Sequence, residues 1–444
     1  MKLYRMVFVT LLLLISACGD STPEPSTEPT PEPTNTSLPT STPTPEPTPT
    51  ETLIPSPTPY PLPDPITIEN ISNIVLVESF EGRYRDYLSS NYLLVIQGDS
   101  SITVWNTAAQ QVSYQFDGSY IQSSQDETLI LIKNSDVIEL RNASTGELIM
   151  SIDDFNFARF HPLEDKILVS NSETGIGQLW EIGGSAPIVE FQLNQSFEGH
   201  VWGYSFSADG EFILGIEAYK IMIWDSNTGD FLHEFTHDND GGTINSSPTQ
   251  NVIAYFTGGL GWYIIDLGSG EILHKFNRDA WVRYSGDGEY LILGSWKNRV
   301  VRFVDPETFE IAKAVPGTIF GFLDTELGLF SVADTDPYNY HYWVYDYTSF
   351  EQVLYFYSDT DLSAFKSEGT GILGLIDCKY HCWRPWRGSL TTFYDISTGG
   401  AIFEMPEDTA FYYSGVFTPD NHWLFLFFRD EDQNYTLDVW QIPE

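Results

Sequence analysis

NASTGELIMSI at 142–152, DSNTGDFLHEF at 225–235 and DLGSGEILHKF at 266–276 are one eleven-residue pattern written three times. It returns as DPETFEIAKAV at 305–315, DYTSFEQVLYF at 346–356 and DISTGGAIFEM at 395–405, and more loosely as NTAAQQVSYQF at 106–116 and EIGGSAPIVEF at 181–191. Seven of these eight copies begin with Asp or Asn. An Asx side chain accepts from the backbone of a turn, and a glycine four positions later supplies the positive φ of a tight reversal. A short apolar run precedes each copy, such as ITVW, GQLW, IMIW or VRFV, and another closes it. Each copy therefore reads as a hairpin between two strands.

A second strand–turn–strand pattern stands upstream of these hairpins. It reads FHPLEDKILVS at 160–170, FSADGEFILGI at 206–216, YSGDGEYLILG at 284–294 and FTPDNHWLFLF at 417–427. The two hairpins make a four-stranded unit that recurs every 36–49 residues, judged by the hairpin starts. No long segment holds a 3.6-residue apolar period, so helix is scarce. One such sheet cannot bury both of its faces, whereas a ring of sheets buries each between two neighbours. The expected fold is all-β, a β-propeller. Third strands near 104, 139, 180, 223, 264, 302, 345, 393 and 439 give nine blades, with eight plus an appended sheet as the alternative. The chain ends just after the ninth. The segment SNIVLVESF at 72–80 is expected to supply the missing fourth strand and close the ring with N- and C-terminal strands in one blade.

The pattern resembles the WD-repeat family over nearly all of residues 72–444. Gly199-His200 and Trp224-Asp225 carry the clearest likeness, with Trp105-Asn106, Trp180-Glu181 and Trp440-Gln441 in the same place in other repeats. Tyr345-Asp346 and Tyr394-Asp395 match it too, as does the turn GDSSITVWN at 98–106 with Asp99. The glycine–histidine pair occurs once, and Ala218 stands where that repeat would place its turn aspartate. The resemblance implies a fold and transfers no function.

Upstream, composition changes. Lys2 and Arg5 precede an apolar run over 6–15, too short to span a bilayer, and then Ile15-Ser16-Ala17-Cys18. This resembles the lipobox of bacterial lipoproteins, which implies that residues 1–17 are a signal peptide and that Cys18 is lipidated. Residues 18–66 follow as a stalk, holding sixteen of the 26 prolines between 23 and 65. With so little apolar bulk it cannot form a core; as polyproline II, at about 3.1 Å per residue, it would reach roughly 150 Å. Residues 67–444 form the folded domain. The expected location is extracytoplasmic, tethered to a membrane through lipid, in a compartment that permits disulfides.

The formal net charge is −41, and residues 70–444 carry 54 acids against 19 basic residues, a net of −35. Such a field repels phosphates and argues against nucleic acid as a partner. Three strings invite a chemical reading. His233-Glu234-Phe235-Thr236-His237 matches a zinc-protease motif, but it begins on an expected strand. There, at roughly 3.3 Å per residue, the histidines would stand about 13 Å apart. Asp238-Asn239-Asp240-Gly241 opens like a calcium loop but lacks the later bidentate glutamate. Cys378 and Cys382 flank three residues and are expected to form a disulfide, since three local ligands do not complete a metal site. No metal, cofactor or catalytic constellation is expected.

The turns between second and third strands lie on one face of such a disc. In the later repeats they read SWKNR at 295–299, DTDPYNYHYW at 334–343, DCKYHCWRPWRG at 377–388 and RDEDQNY at 429–435. They concentrate the residue types that dominate interfaces, namely Trp296, Tyr338, Tyr340, Tyr380, Trp383, Arg384, Trp386 and Arg387. The leading functional expectation is a membrane-anchored, monomeric binding or scaffolding module for protein or glycan partners, centred on Trp383 and Trp386. The alternatives are an envelope enzyme or redox protein with a site in the central channel, and an envelope-assembly lipoprotein.

Overall fold

The computed structural model describes residues 62–443, apart from 193–202, 218–219, 237–241, 279, 296, 325–327, 337–338, 359–360, 368, 379–388, 406–411 and 430–433. Nine four-stranded antiparallel sheets make up the domain. Strands within a blade are lettered a to d from the inside outward. Blade 1 runs Arg83–Leu88, Leu93–Gln97, Ser101–Asn106 and Gln111–Asp117, and the next seven blades repeat this order along the chain. Blade 9 takes strands a, b and c from Tyr412–Phe417, Trp423–Arg429 and Tyr435–Gln441. Its strand d is Val75–Glu81, from the other end of the chain. Val75 pairs with Gln441 and Glu81 with Thr436. The closure read from the sequence is therefore present, with a three-residue 3₁₀ turn, Ile71–Asn73, where the sequence suggested that the strand begins.

Alternation of side chains explains why strand b, which has a neighbouring blade on each face, is apolar along most of its length. In strand b of blade 1, Leu94 and Ile96 face blade 9, while Leu93 and Val95 face blade 2. Nine apolar clusters occur, one for each junction between successive sheets, the 9–1 junction included. A fully buried Leu, Val or Phe stabilises by about 1.5–3 kcal/mol, so the ring is held by its junctions rather than by one central core.

The eleven-residue pattern forms the c–d hairpins. The side-chain oxygen of Asp225 accepts from the N–H groups of Asn227 and Thr228, each at 2.9 Å. Asn106, Asn142, Asp266, Asp305, Asp346 and Asp395 accept in the same way from their own turns. Gly229, at φ 75°, takes the left-handed position. Phe309 and Phe350 occupy that position in blades 6 and 7 at φ 59° and 60°. Their rings are repaid by packing: Phe309 stacks on His274, and Phe350 lies against Phe303 and Phe330.

The packed domain begins earlier than the change in composition suggests. Ile66, assigned above to the stalk, is fully buried among side chains of blades 8 and 9, and its N–H donates to the carbonyl of Asn421 at 2.7 Å. An apolar residue in a proline-rich run needs only one neighbour with free core surface to be drawn in.

Candidate functional site

Antiparallel order sorts the loops. The a–b turns and the Asx hairpins lie at one end of the ring; the b–c turns and the connections from one blade to the next lie at the other. The second end is where the sequence reading places its interaction surface. Of the eight candidate residues, Trp296, Tyr338, Tyr380, Trp383, Arg384, Trp386 and Arg387 lie outside the described residues. Only the backbone of Tyr340 is described, in strand c of blade 7, paired with Thr335 and Ser358. The backbone of Cys378 ends strand b of blade 8 opposite Ser389. Cys382 and Cys18 lie outside the described residues, so neither the disulfide nor the lipidation site has a described geometry.

Two clefts among the described residues open at this same end. The first, of ≈ 640 Å³, sits on the seam where blade 9 meets blade 1. Its walls include Arg83, Arg85, Asp99 and Tyr435. The Arg83 guanidinium lies 3.9 Å from the centre of the Tyr435 ring, and that of Arg429 lies 4.9 Å from it. Glu81 and Asp99 balance the arginines of the wall. Gln97 fixes the floor. Its amide donates to the carbonyls of Gly98, Ser101 and Gly118 at 2.9, 3.1 and 3.0 Å, and its Oε1 accepts from the Tyr120 N–H at 2.8 Å. Gly118 lies close against Lys133, where at φ 121° an added Cβ would stand 2.4 Å from the Lys133 carbonyl. Beside it, the Asp86 carboxylate accepts from Ser123 Oγ at 2.6 Å and from the Tyr120 hydroxyl. Burial first, then the negative charge of Asp86, pushes the Tyr120 phenol far above its ordinary range.

The second cleft, of ≈ 630 Å³, lies between blades 2 and 3. The 2–3 connection at Asp153, Asp154 and Phe155 forms one lip and the b–c turn of blade 3 the other. Trp180, Gln178 and Ile176 from strand c of blade 3 form a wall. Asp154 holds φ 67° in this connection, where the equivalent first residue in the 9–1, 1–2 and 6–7 connections is Gly82, Gly118 or Gly317.

The five described histidines are spread over five blades and serve local structure. His161 and His422 sit in a–b turns, His233 bonds the Gly268 carbonyl, His274 stacks on Phe309 and His341 stacks on Trp343. His233 lies on strand Phe231–Thr236, as the sequence reading required when it set aside the zinc-protease motif; His237 and residues 238–241 are outside the described set. Among the described residues no group of three or more His, Cys, Asp or Glu converges in metal-binding geometry, and no helix is long and apolar enough to cross a membrane.

No family profile matches the sequence, and no curated protein matches it. Solved structures do resemble the fold. A crystal structure of the eukaryotic initiation factor superposes with a TM-score of 0.57 at 11% identity, covering 75% of this chain and 90% of that one. BamB from Moraxella catarrhalis gives 0.44 at 13% identity, over 83% and 99% of the two chains. The dihydro-heme d1 dehydrogenase NirN, in complex with DHE, gives 0.46 at 17% identity, over 63% and 66%. At these identities the likeness is one of fold alone.

Proposed function

We propose that this chain is a lipid-anchored, extracytoplasmic β-propeller of WD-repeat type that binds a protein or glycan partner on the end of the ring carrying the b–c turns. The observation that carries the reading is the placement of both clefts at that end, where the sequence also concentrates Tyr380, Trp383, Arg384, Trp386 and Arg387. Aromatic and arginine side chains around concave surface are what a recognition face requires. The lipobox resemblance at Ile15–Cys18 supports the tether, and the proline-rich segment supports a spacer that holds an acidic domain away from anionic headgroups.

Two measurements test this. Metabolic labelling with a palmitate analogue should mark the wild-type chain and not Cys18→Ser; an unlabelled wild-type chain retaining residues 1–17 removes the anchor. Replacing Trp383 and Trp386 together with Ala should abolish crosslinking to envelope partners while the melting temperature holds. A large fall in melting temperature instead would mean that these rings cover their own blade.

A further inference from the structure

The last residue of the eleven-residue pattern, like Phe80 at the same place in strand d of blade 9, faces the next blade, where in the cases below it meets the penultimate residue of strand c. At the 9–1 junction Phe80 packs edge-on against Trp105 with ring centres 5.3 Å apart, and Trp105 is 3% exposed. At the 3–4 junction Phe191 does the same to Trp224 at 5.8 Å, and Trp224 is 5% exposed. Phe356 meets Tyr394 at the 7–8 junction, and Phe116 meets Arg141 at the 1–2 junction. At the 2–3 junction Ile152 stands in this place opposite Trp180. An isoleucine cannot cover an indole, so Trp180 remains half-buried and lines the ≈ 630 Å³ cleft.

The indole is held in place from outside. Trp180 Nε1 donates to Gln178 Oε1 at 3.1 Å, and Gln178 Nε2 donates to Glu190 Oε2 at 2.7 Å. The result is a braced aromatic wall over an apolar floor. Ser151 and Asp153 add exposed hydroxyl and carboxylate groups at the lip, and the lining contains no Lys, Arg or His. We propose that this cleft binds a neutral oligosaccharide. A sugar ring offers one apolar C–H face for the indole and a rim of hydroxyls for the short polar side chains; the cleft volume falls within the range of about 300–1,000 Å³ that small-ligand sites occupy. A uronic or sulfated sugar would find no cation here and two aspartates at the lip. The assignment rests on the partner-binding reading of this end of the ring, but it names a site separate from Trp383 and Trp386.

The test titrates the full chain in detergent with cellohexaose, maltohexaose, mannohexaose and chitohexaose, with an oligogalacturonate and a lysine-rich peptide alongside. At least one neutral sugar should bind by calorimetry. Ile152→Phe, which installs the residue found at six of the nine junctions (Val315 and Met405 hold two of the others), should weaken it at least about tenfold, and Asp153→Ala should weaken it by a similar factor. Asp153 is exposed, so Asp153→Ala should keep the wild-type melting temperature; Ile152→Phe enlarges a side chain that is 4% exposed and should lower it, so the Asp153→Ala titration is the one that must show weakened binding without a stability change. Trp383→Ala with Trp386→Ala should leave this titration unchanged, which separates the cleft from the wider partner reading. No binding by any neutral sugar at millimolar concentration, binding that survives Ile152→Phe, or preference for the oligogalacturonate or the peptide would overturn the proposal.

Discussion

Ser79 Oγ donates to Asp438 Oδ1 at 2.6 Å, joining residues 359 positions apart in the chain. The other carboxylate oxygen, Oδ2, accepts from the Tyr412 hydroxyl at 2.6 Å. One aspartate thus links strands a, c and d of blade 9, the only blade built from both ends of the chain. Asp438 and Tyr412 are 5% and 2% exposed, whereas Ser79 is exposed and water can replace its bond. Asp438→Ala should therefore cost about 1–3 kcal/mol, most of it from the Tyr412 hydroxyl left buried without an acceptor. Ser79→Ala should cost under about 1 kcal/mol. Chemical denaturation of both variants checks this; equal losses would mean that the carboxylate is not the element that matters.

Alkaline pH should unfold the ring through its tyrosines. Burial pushes the Tyr345 phenol up to about 12, and burial drives Tyr84, Tyr255, Tyr284 and Tyr412 higher still. In the unfolded chain these groups ionise near about 10. The folded state keeps its protons longer, so the stability they contribute is intact below about pH 10 and is lost as pH rises through the folded values. Phenolate absorbance and circular dichroism recorded together should rise and fall as one event for these groups. Ionisation of the buried set before any loss of sheet signal would contradict the assignment.

How much of this was open to reading from the residues depended on repetition. The Asx-led turn and its flanking strands recur often enough that nine third strands could be counted, and every one of them is present. The ring closure was legible because a unit ending after strand c must find strand d elsewhere. What failed to show was anything set by the contrast between repeats. Phe309 and Phe350 sit in turns where the pattern leads one to expect glycine, because their packing on neighbouring rings outweighs the cost of left-handed backbone. Ile152 reads as one more apolar residue in a strand. Only when the final positions of the copies are set side by side, Phe at 116, 191, 235, 276 and 356 against Ile152, Val315 and Met405, does the smaller residue opposite Trp180 become visible. The clefts also depend on connections such as Asp153–Phe155, whose geometry no repeat dictates.

Acid should loosen the 3–4 junction through His161. Its Nδ1 accepts from the N–H groups of Leu163 and Glu164 at 3.1 and 3.0 Å, so Nε2 carries the proton and faces the Gly210 carbonyl of blade 4 at 3.2 Å. A second proton would destroy both acceptor bonds. Burial, the largest influence, holds the imidazole below its ordinary value. A lowered folded value means that the unfolded chain takes up the proton first. Stability is therefore full above about pH 6.5, begins to fall as pH drops past that point, and levels off below the folded value. His161→Ala should flatten this slope and cost about 1–3 kcal/mol at neutral pH, mostly by removing a buried ring that packs on Phe206, since Leu163 and Glu164 are exposed and water can replace their bonds. An unchanged slope in the variant would assign the acid response to carboxylates instead.

Gly294 and Trp281 supply a case where space, not backbone conformation, demands glycine. The two are cross-strand partners in blade 6. Gly294 does not have positive φ, yet a Cβ there would stand 2.0 Å from Trp281 Cε2. The indole lies flat over the glycine and reaches blade 7, donating Nε1–H to the Thr318 carbonyl at 2.7 Å. Gly294→Ala should displace the ring and break that inter-blade bond, costing about 1–3 kcal/mol from overpacking with the bond's loss included. In a Trp281→Ala background the same glycine change should be close to neutral, since the obstruction is gone. The coupling from this double-mutant cycle measures the steric conflict directly. If Gly294→Ala destabilises both backgrounds equally, the requirement lies in the backbone and the packing account fails.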